Sequence, residues 1–139
     1  MRQAREVLDI ETVGQRFYEF TDRIRTFVGR AAIDTGLLTV FLHHTSASLM
    51  IQENADPTVQ EDFLSFFKRL VPEDGRSYRH GYEGPDDMPA HIKSALTTVQ
   101  LVIPVSGGRL DLGTWQGVYL VEHRYQPHRR RVTLHLIGE

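Results

Sequence analysis

The chain has 139 residues, 40% apolar and 24% charged, with a formal net charge of -2. That balance fits one soluble globular domain over residues 1–139, and it offers no global field to attract nucleic acid or an anionic membrane. The absence of cysteine removes disulfides and thiolate metal sites, while the absence of a long apolar run or signal-like start makes a cytoplasmic location the expectation.

Two short strands, over residues 6–11 and 16–20, are expected first. Thr21 then fits an N-cap for a helix that carries Ile24, Phe27, Val28 and Ala31 at helical spacing, with Gly36 beyond its end. Residues 37–44 and 49–53 alternate as strands and are expected to pair with each other. Asp56 followed by Pro57 marks the start of a second helix, striped by Val59, Phe63, Phe66, Phe67 and Leu70 and stopped by Pro72. A third helix starts near Asp87, with Ile92, Ala95, Leu96 and Val99 on its apolar side. Strands over 101–105, 109–112, 118–123 and 131–137 complete the chain, with Gly107-Gly108 as a tight hairpin turn. Strands in neighbouring runs with separate helices predict an α+β fold, with a compact mixed or antiparallel β-sandwich and about three helices.

Seven histidines is a high number for this length. Histidine is both the common neutral metal ligand and the acid–base group of neutral pH. Alternation puts His44 at the end of the apolar face Leu38, Val40, Leu42, and Glu53 at the end of Leu49, Ile51. Both would then sit at the rim of the core, where burial perturbs titration. A hydrogen-bonded structural His44 and a helix-capping Glu53 are the competing readings. His80 falls in an irregular stretch over 72–88, a length of loop more often functional than idle. His91 falls in the first turn of the third helix and flanks its apolar side, as a pocket wall would. The backbone N–H groups of that helix start suit an anion, and Asp86 and Asp87 each fit a capping role first.

His44, His80 and His91, with Glu53, Asp86 or Asp87, can make a mixed nitrogen–oxygen site. Three imidazoles with an open fourth position suit zinc, whereas carboxylates with a bound phosphate suit magnesium. No HExxH, P-loop or dinucleotide-binding spacing is present, and Ser46 and Ser48 lack a nucleophile-elbow context. The run His128-Arg129-Arg130-Arg131 fits either a phosphate contact or a solvated strand edge. His43, His123, His128 and His135 are expected to be bystanders.

Several segments together resemble the YjbQ family. They are His44-Thr45-Ser46-Ala47-Ser48-Leu49, Glu53-Asn54-Ala55-Asp56-Pro57, His80, Ala90-His91-Ile92-Lys93 and the distinctive Gly113-Thr114-Trp115-Gln116-Gly117. Glu122 and an arginine of the 129–131 run also match motif positions. The sequence departs from many relatives at Asp87 and Pro89, where they carry Asn and Asp before the final Ala-His, and at His123-Arg124-Tyr125, which replaces an Asp-Gly turn.

The resemblance implies an α+β sandwich that assembles as a homotrimer, with its polar motif residues in one pocket. It implies Glu53, His44 and His91 as catalytic groups, His44, His80 and His91 as ligands of a divalent metal (zinc or magnesium), and Thr45, Gly113, Thr114, Gln116 and Arg130 as contacts to an anionic ligand. Trp115 is expected to anchor a core or a subunit interface. The implied activity is that of a secondary thiamine-phosphate synthase, which joins hydroxymethylpyrimidine diphosphate to a thiazole phosphate and releases pyrophosphate. The ligand is then a small phosphorylated metabolite, with no nucleic acid or membrane partner. The alternatives are a metal-assisted hydrolase of a small phosphorylated metabolite and a non-catalytic trimeric ligand-binding protein.

Overall fold

A computed structural model describes residues 1–139 as eight antiparallel strands in two sheets, with three helices. The ends of the chain form the longest pairing: β1 (Arg2–Thr12) lies against β8 (His128–Gly138) from Arg2 opposite Gly138 to Thr12 opposite His128. Next to β8 come β3 (Gly36–Leu42), β5 (Gln100–Ser106) and the short β6 (Arg109–Leu110), giving a five-stranded sheet. The second sheet holds β7 (Gln116–Glu122) between β2 (Phe17–Glu19) and β4 (Ala47–Glu53).

Alternation works as expected in the larger sheet. Leu38, Val40 and Leu42 of β3 and Val132, Leu134 and Leu136 of β8 all point into one core. Val118 and Leu120 of β7 and Leu49 of β4 face them from the second sheet, and helix α1 (Thr21–Ala31) adds Ile24, Phe27 and Val28. Gly107 and Gly108 both have positive φ, the conformation the tight β5–β6 turn requires.

Four local expectations are corrected. Strands β3 and β4 do not pair, because the chain between them crosses from one sheet to the other. Thr21 is the first residue of α1, and Phe20 holds the cap position. The Thr21 hydroxyl accepts from the Val118 amide at 2.9 Å and donates to Glu19 at 2.8 Å, so it ties the helix to the second sheet. In helix α2 (Pro57–Leu70), Asp56 does cap the start, accepting from the Thr58 amide at 2.9 Å, but of its aromatic stripe only Phe67 is buried. Helix α3 (Asp87–Leu96) is turned away from its apolar side. Its buried residues are Asp87, Pro89, Ala90, Lys93 and Ser94, while Leu96 is exposed. A polar inner face is tolerable only where partners await it. Ser94 finds one in the Ala47 carbonyl at 2.8 Å.

No helix is long and apolar enough to cross a membrane.

Candidate metal centre

Loop and helix meet at His80, Asp87 and His91, whose ligand atoms all lie within 4.8 Å of one another. Asp87 opens α3 and His91 follows at i+4, so both project from one helical face. His80 reaches them from the preceding loop, its Nε2 2.7 Å from Asp87 Oδ2. His91 Nε2 stands 3.4 Å from the other carboxylate oxygen, and the two imidazole rings meet edge to face at 5.5 Å. A tetrahedral ion with bonds of about 2.0–2.1 Å separates its donors by about 3.4 Å. The His91–Asp87 spacing already suits it, whereas His80 has to withdraw by a few tenths of an ångström.

Two of the three ligands are held from behind, His91 and Asp87. His91 Nδ1 donates to the Thr45 carbonyl at 2.8 Å, which fixes the tautomer that leaves Nε2 free toward Asp87. Asp87 is 2% exposed and accepts from Arg124 Nη1 at 2.8 Å. The same guanidinium donates to Asp86 at 3.1 Å and to the Glu83 carbonyl at 2.7 Å. Burial alone would raise the Asp86 pKa, but the Tyr125 amide and Arg124 outweigh it and hold that carboxyl below its ordinary range. Asp86 and Asp87 therefore do more than cap the helix: Asp86 makes no side-chain cap bond at all.

Behind this cluster lies a second buried pair. Glu122, at the end of β7, is fully buried and accepts from both Nε (2.7 Å) and Nη2 of Arg130 and from Thr12 Oγ1 at 2.6 Å. Arg130, expected to contact an anion, is placed among these buried groups. Alternation along β8 turns it inward, where it is 3% exposed and spent on Glu122 and Ser46. His123 is also buried, 2.9 Å from Ser48, and burial, reinforced by the charges of Lys93 and Arg130, lowers its pKa to about 3.

The single pocket expected from sequence divides in two. His44 is not among the clustered ligands. Its Nε2 accepts from the Arg131 amide at 2.8 Å, and burial, then Arg130, keeps its pKa below the ordinary value. It lines, with Thr45, His91, Ser94, Phe41 and His43, an open groove of about 620 Å³ beside the cluster. Glu53 lies elsewhere. It pairs with Gln116 at one end of the β4–β7 ladder, whereas Ala47 opposite Glu122 marks the other end. Six residue steps of extended strand separate them, about 20 Å.

Gly113, Thr114 and Gln116 gather with Glu53 at that far end, where the Gly113 amide is taken by the Gln116 side chain at 2.8 Å. Trp115 is 63% exposed, so it anchors no core within the chain. Sequence reading gave Arg124 no contact, and Glu122 entered only through its match to a motif position. Their local signal is charge inside and just after an apolar strand.

The comparisons agree on a family. A family model described as UPF0047 protein YjbQ-like matches residues 6–139. A UPF0047 protein of Synechocystis sp. is 57% identical over 138 residues, covering 99% of this chain and 94% of that protein. UPF0047 protein YjbQ of Escherichia coli O157:H7 is 45% identical over 135 residues, covering 96% and 97% of the two chains. Among solved structures, an uncharacterized conserved protein of the YjbQ/UPF0047 family from Clostridium acetobutylicum has a TM-score of 0.88 at 34% identity, covering 95% of this chain and 99% of that one. A protein of unknown function from Sulfolobus solfataricus P2, described as YbjQ-like, has a TM-score of 0.86 at 26% identity and covers 99% and 100%. The matched length and the shared α+β architecture lead to one conclusion: the chain belongs to the YjbQ (UPF0047) family.

Proposed function

We propose that this chain is a metal-dependent enzyme that holds one divalent cation on His80, Asp87 and His91 and acts on a small phosphorylated metabolite bound in the groove beside His91. The observation that carries the proposal is the convergence of two imidazoles and one buried carboxylate, with His91 and Asp87 already oriented by hydrogen bonds to Thr45 and Arg124. Two nitrogen donors with one oxygen favour zinc over magnesium. An ion there supplies a Lewis acid for a phosphoryl or pyrophosphoryl oxygen. Thr45, Ser94 and the neutral imidazole of His44 line the groove and would orient the body of the ligand.

Two reactions fit such a site. Transfer of the thiamine-phosphate synthase type breaks the bond between the pyrimidine methylene carbon and pyrophosphate, and the thiazole nitrogen takes that carbon. It requires cationic groups around the departing pyrophosphate, yet Arg130 is engaged with Glu122 and Arg124 with Asp86 and Asp87. Metal-assisted hydrolysis of a phosphate ester needs only the ion and a water, and the two-histidine, one-carboxylate donor set favours it. We also propose assembly as a homotrimer. Support comes from the outer face of the five-stranded sheet, where Val7, Leu37, Phe41, Val102 and Ile137 are all more than a third exposed.

Metal analysis of the purified protein, followed by assays for phosphate release from phosphate monoesters and for thiamine phosphate from its two precursors, tests the reading. Stoichiometric zinc in the wild type, lost in Asp87→Asn with the fold retained, is the expected result. The proposal is overturned if neither zinc nor cobalt binds stoichiometrically. Product in the second assay but not the first would replace hydrolysis with transfer. Light scattering in solution gives the oligomeric state, and a monomer would refute the trimer.

A further inference from the structure

We propose that Glu122 is a positioning residue: one buried carboxylate on β7 sets the geometry of both Asp87 and His91. The inference rests on the metal reading above, but its geometry can be tested without a metal.

Two arms leave Glu122. The first runs through Arg130, which is bound to both carboxylate oxygens and donates from Nη2 to the Ser46 carbonyl at 3.3 Å and to Ser46 Oγ at 3.0 Å. This pins the crossing between β3 and β4. The neighbouring Thr45 carbonyl then accepts from His91 Nδ1 at 2.8 Å, so the crossing dictates which ring nitrogen of His91 carries the proton. The second arm starts at Glu122 Oε2, which accepts from the Arg124 amide at 3.1 Å. That bond fixes the backbone from which the Arg124 side chain reaches Asp87 Oδ1 at 2.8 Å and Asp86 Oδ2 at 3.1 Å. His80 is in turn placed by Asp87.

Helix α3 needs this frame. Its buried face mixes the small Pro89 and Ala90 with Asp87, Lys93 and Ser94, so it lacks the large apolar side chains with which Ile24, Phe27 and Val28 lock α1 in rotation. Hydrogen-bonded charge has to set the rotation instead. Thr12 on β1 completes the carboxylate's coordination and leaves it no accessible lone pair for substrate. Glu122 touches no groove residue except through Arg130 and Ser46 at the β3–β4 crossing, so it acts on the site at a remove.

The test uses the full chain, cobalt(II) alone as the optical probe, and long-range nitrogen–proton NMR of the His91 imidazole in metal-free protein. In Glu122→Gln, cobalt affinity is expected to fall about 10- to 100-fold, and His91 is expected to lose its single Nδ1–H tautomer. Leu134→Ala destabilises the core by a cavity without touching either arm, and should retain both signals. Ser46→Ala keeps the carboxylate and removes one contact of the first arm. It should shift the tautomer alone, and it decides the matter if Glu122→Gln does not fold. Wild-type affinity and tautomer in the Glu122→Gln and Ser46→Ala proteins, or an equal loss in Leu134→Ala, overturns the proposal. If the wild type binds no cobalt, the metal reading falls and the tautomer alone decides whether Glu122 positions His91.

Discussion

Replacing His123 with glutamine should make the protein less sensitive to acid. His123 is buried at the end of β7, with Nε2 2.9 Å from Ser48 Oγ and the Phe67 ring edge-on at 6.0 Å. Burial, with Lys93 and Arg130 adding like charge, holds its pKa at about 3 against an ordinary value of 6.5. The folded state therefore keeps the ring neutral where the unfolded chain protonates it. With the folded value depressed, the stability from a neutral His123 is complete above pH 6.5 and is lost as pH falls toward 3. Between pH 7 and pH 5 the linkage relation gives a loss of about 2 kcal/mol from this residue. That figure is set by the unfolded pKa, so a one-unit change in the folded value barely alters it. Glutamine preserves a polar partner for Ser48 without the titration. Urea unfolding in the presence of a chelator, at both pH values, measures the difference. The wild type should lose about 2 kcal/mol more than His123→Gln, because the carboxylates contribute equally to both proteins and cancel. Equal losses would refute the reasoning.

Three further outcomes follow from the geometry. Arg130→Met strands the fully buried Glu122 and should cost about 3–5 kcal/mol in chemical denaturation, far more than Arg129→Met, whose partner Glu11 is exposed. Asp56→Ala removes the cap on the Thr58 amide and should cost about 1 kcal/mol, measured the same way, with cobalt affinity untouched. Glu53→Gln should bind cobalt like the wild type, since Glu53 lies at the far end of β4 from the cluster; a large loss would show that the two ends of the ladder meet in the working protein.

Much of the architecture was legible because each strand must bury one face and each helix one stripe. The alternation of Leu38, Val40 and Leu42 and the spacing of Ile24, Phe27 and Val28 survive intact in the folded core. The same logic failed for α3, whose apolar side points outward. A helix can turn Asp87 and Ser94 inward when the surrounding chain supplies partners, and no local period reports those partners. Of the cluster, His80, His91 and Asp87 were all candidates in the sequence, and the fold brings these three together. Sequence pattern left His44 beside Asp86 and Asp87 as candidates; in the fold the His44 Nε2 accepts from the Arg131 amide and stands outside the cluster.

By itself, then, the sequence determined the element types, the family, and a histidine- and carboxylate-rich site free of thiolates. Tertiary structure decided which groups converge there. Asp87 becomes a metal-competent ligand because Arg124, 37 residues away, holds it. Arg130 becomes a partner of Glu122 because β8 faces it inward. Periodicity records that a side chain is buried. What it meets there depends on strands paired across the whole length of the chain, as β1 is with β8.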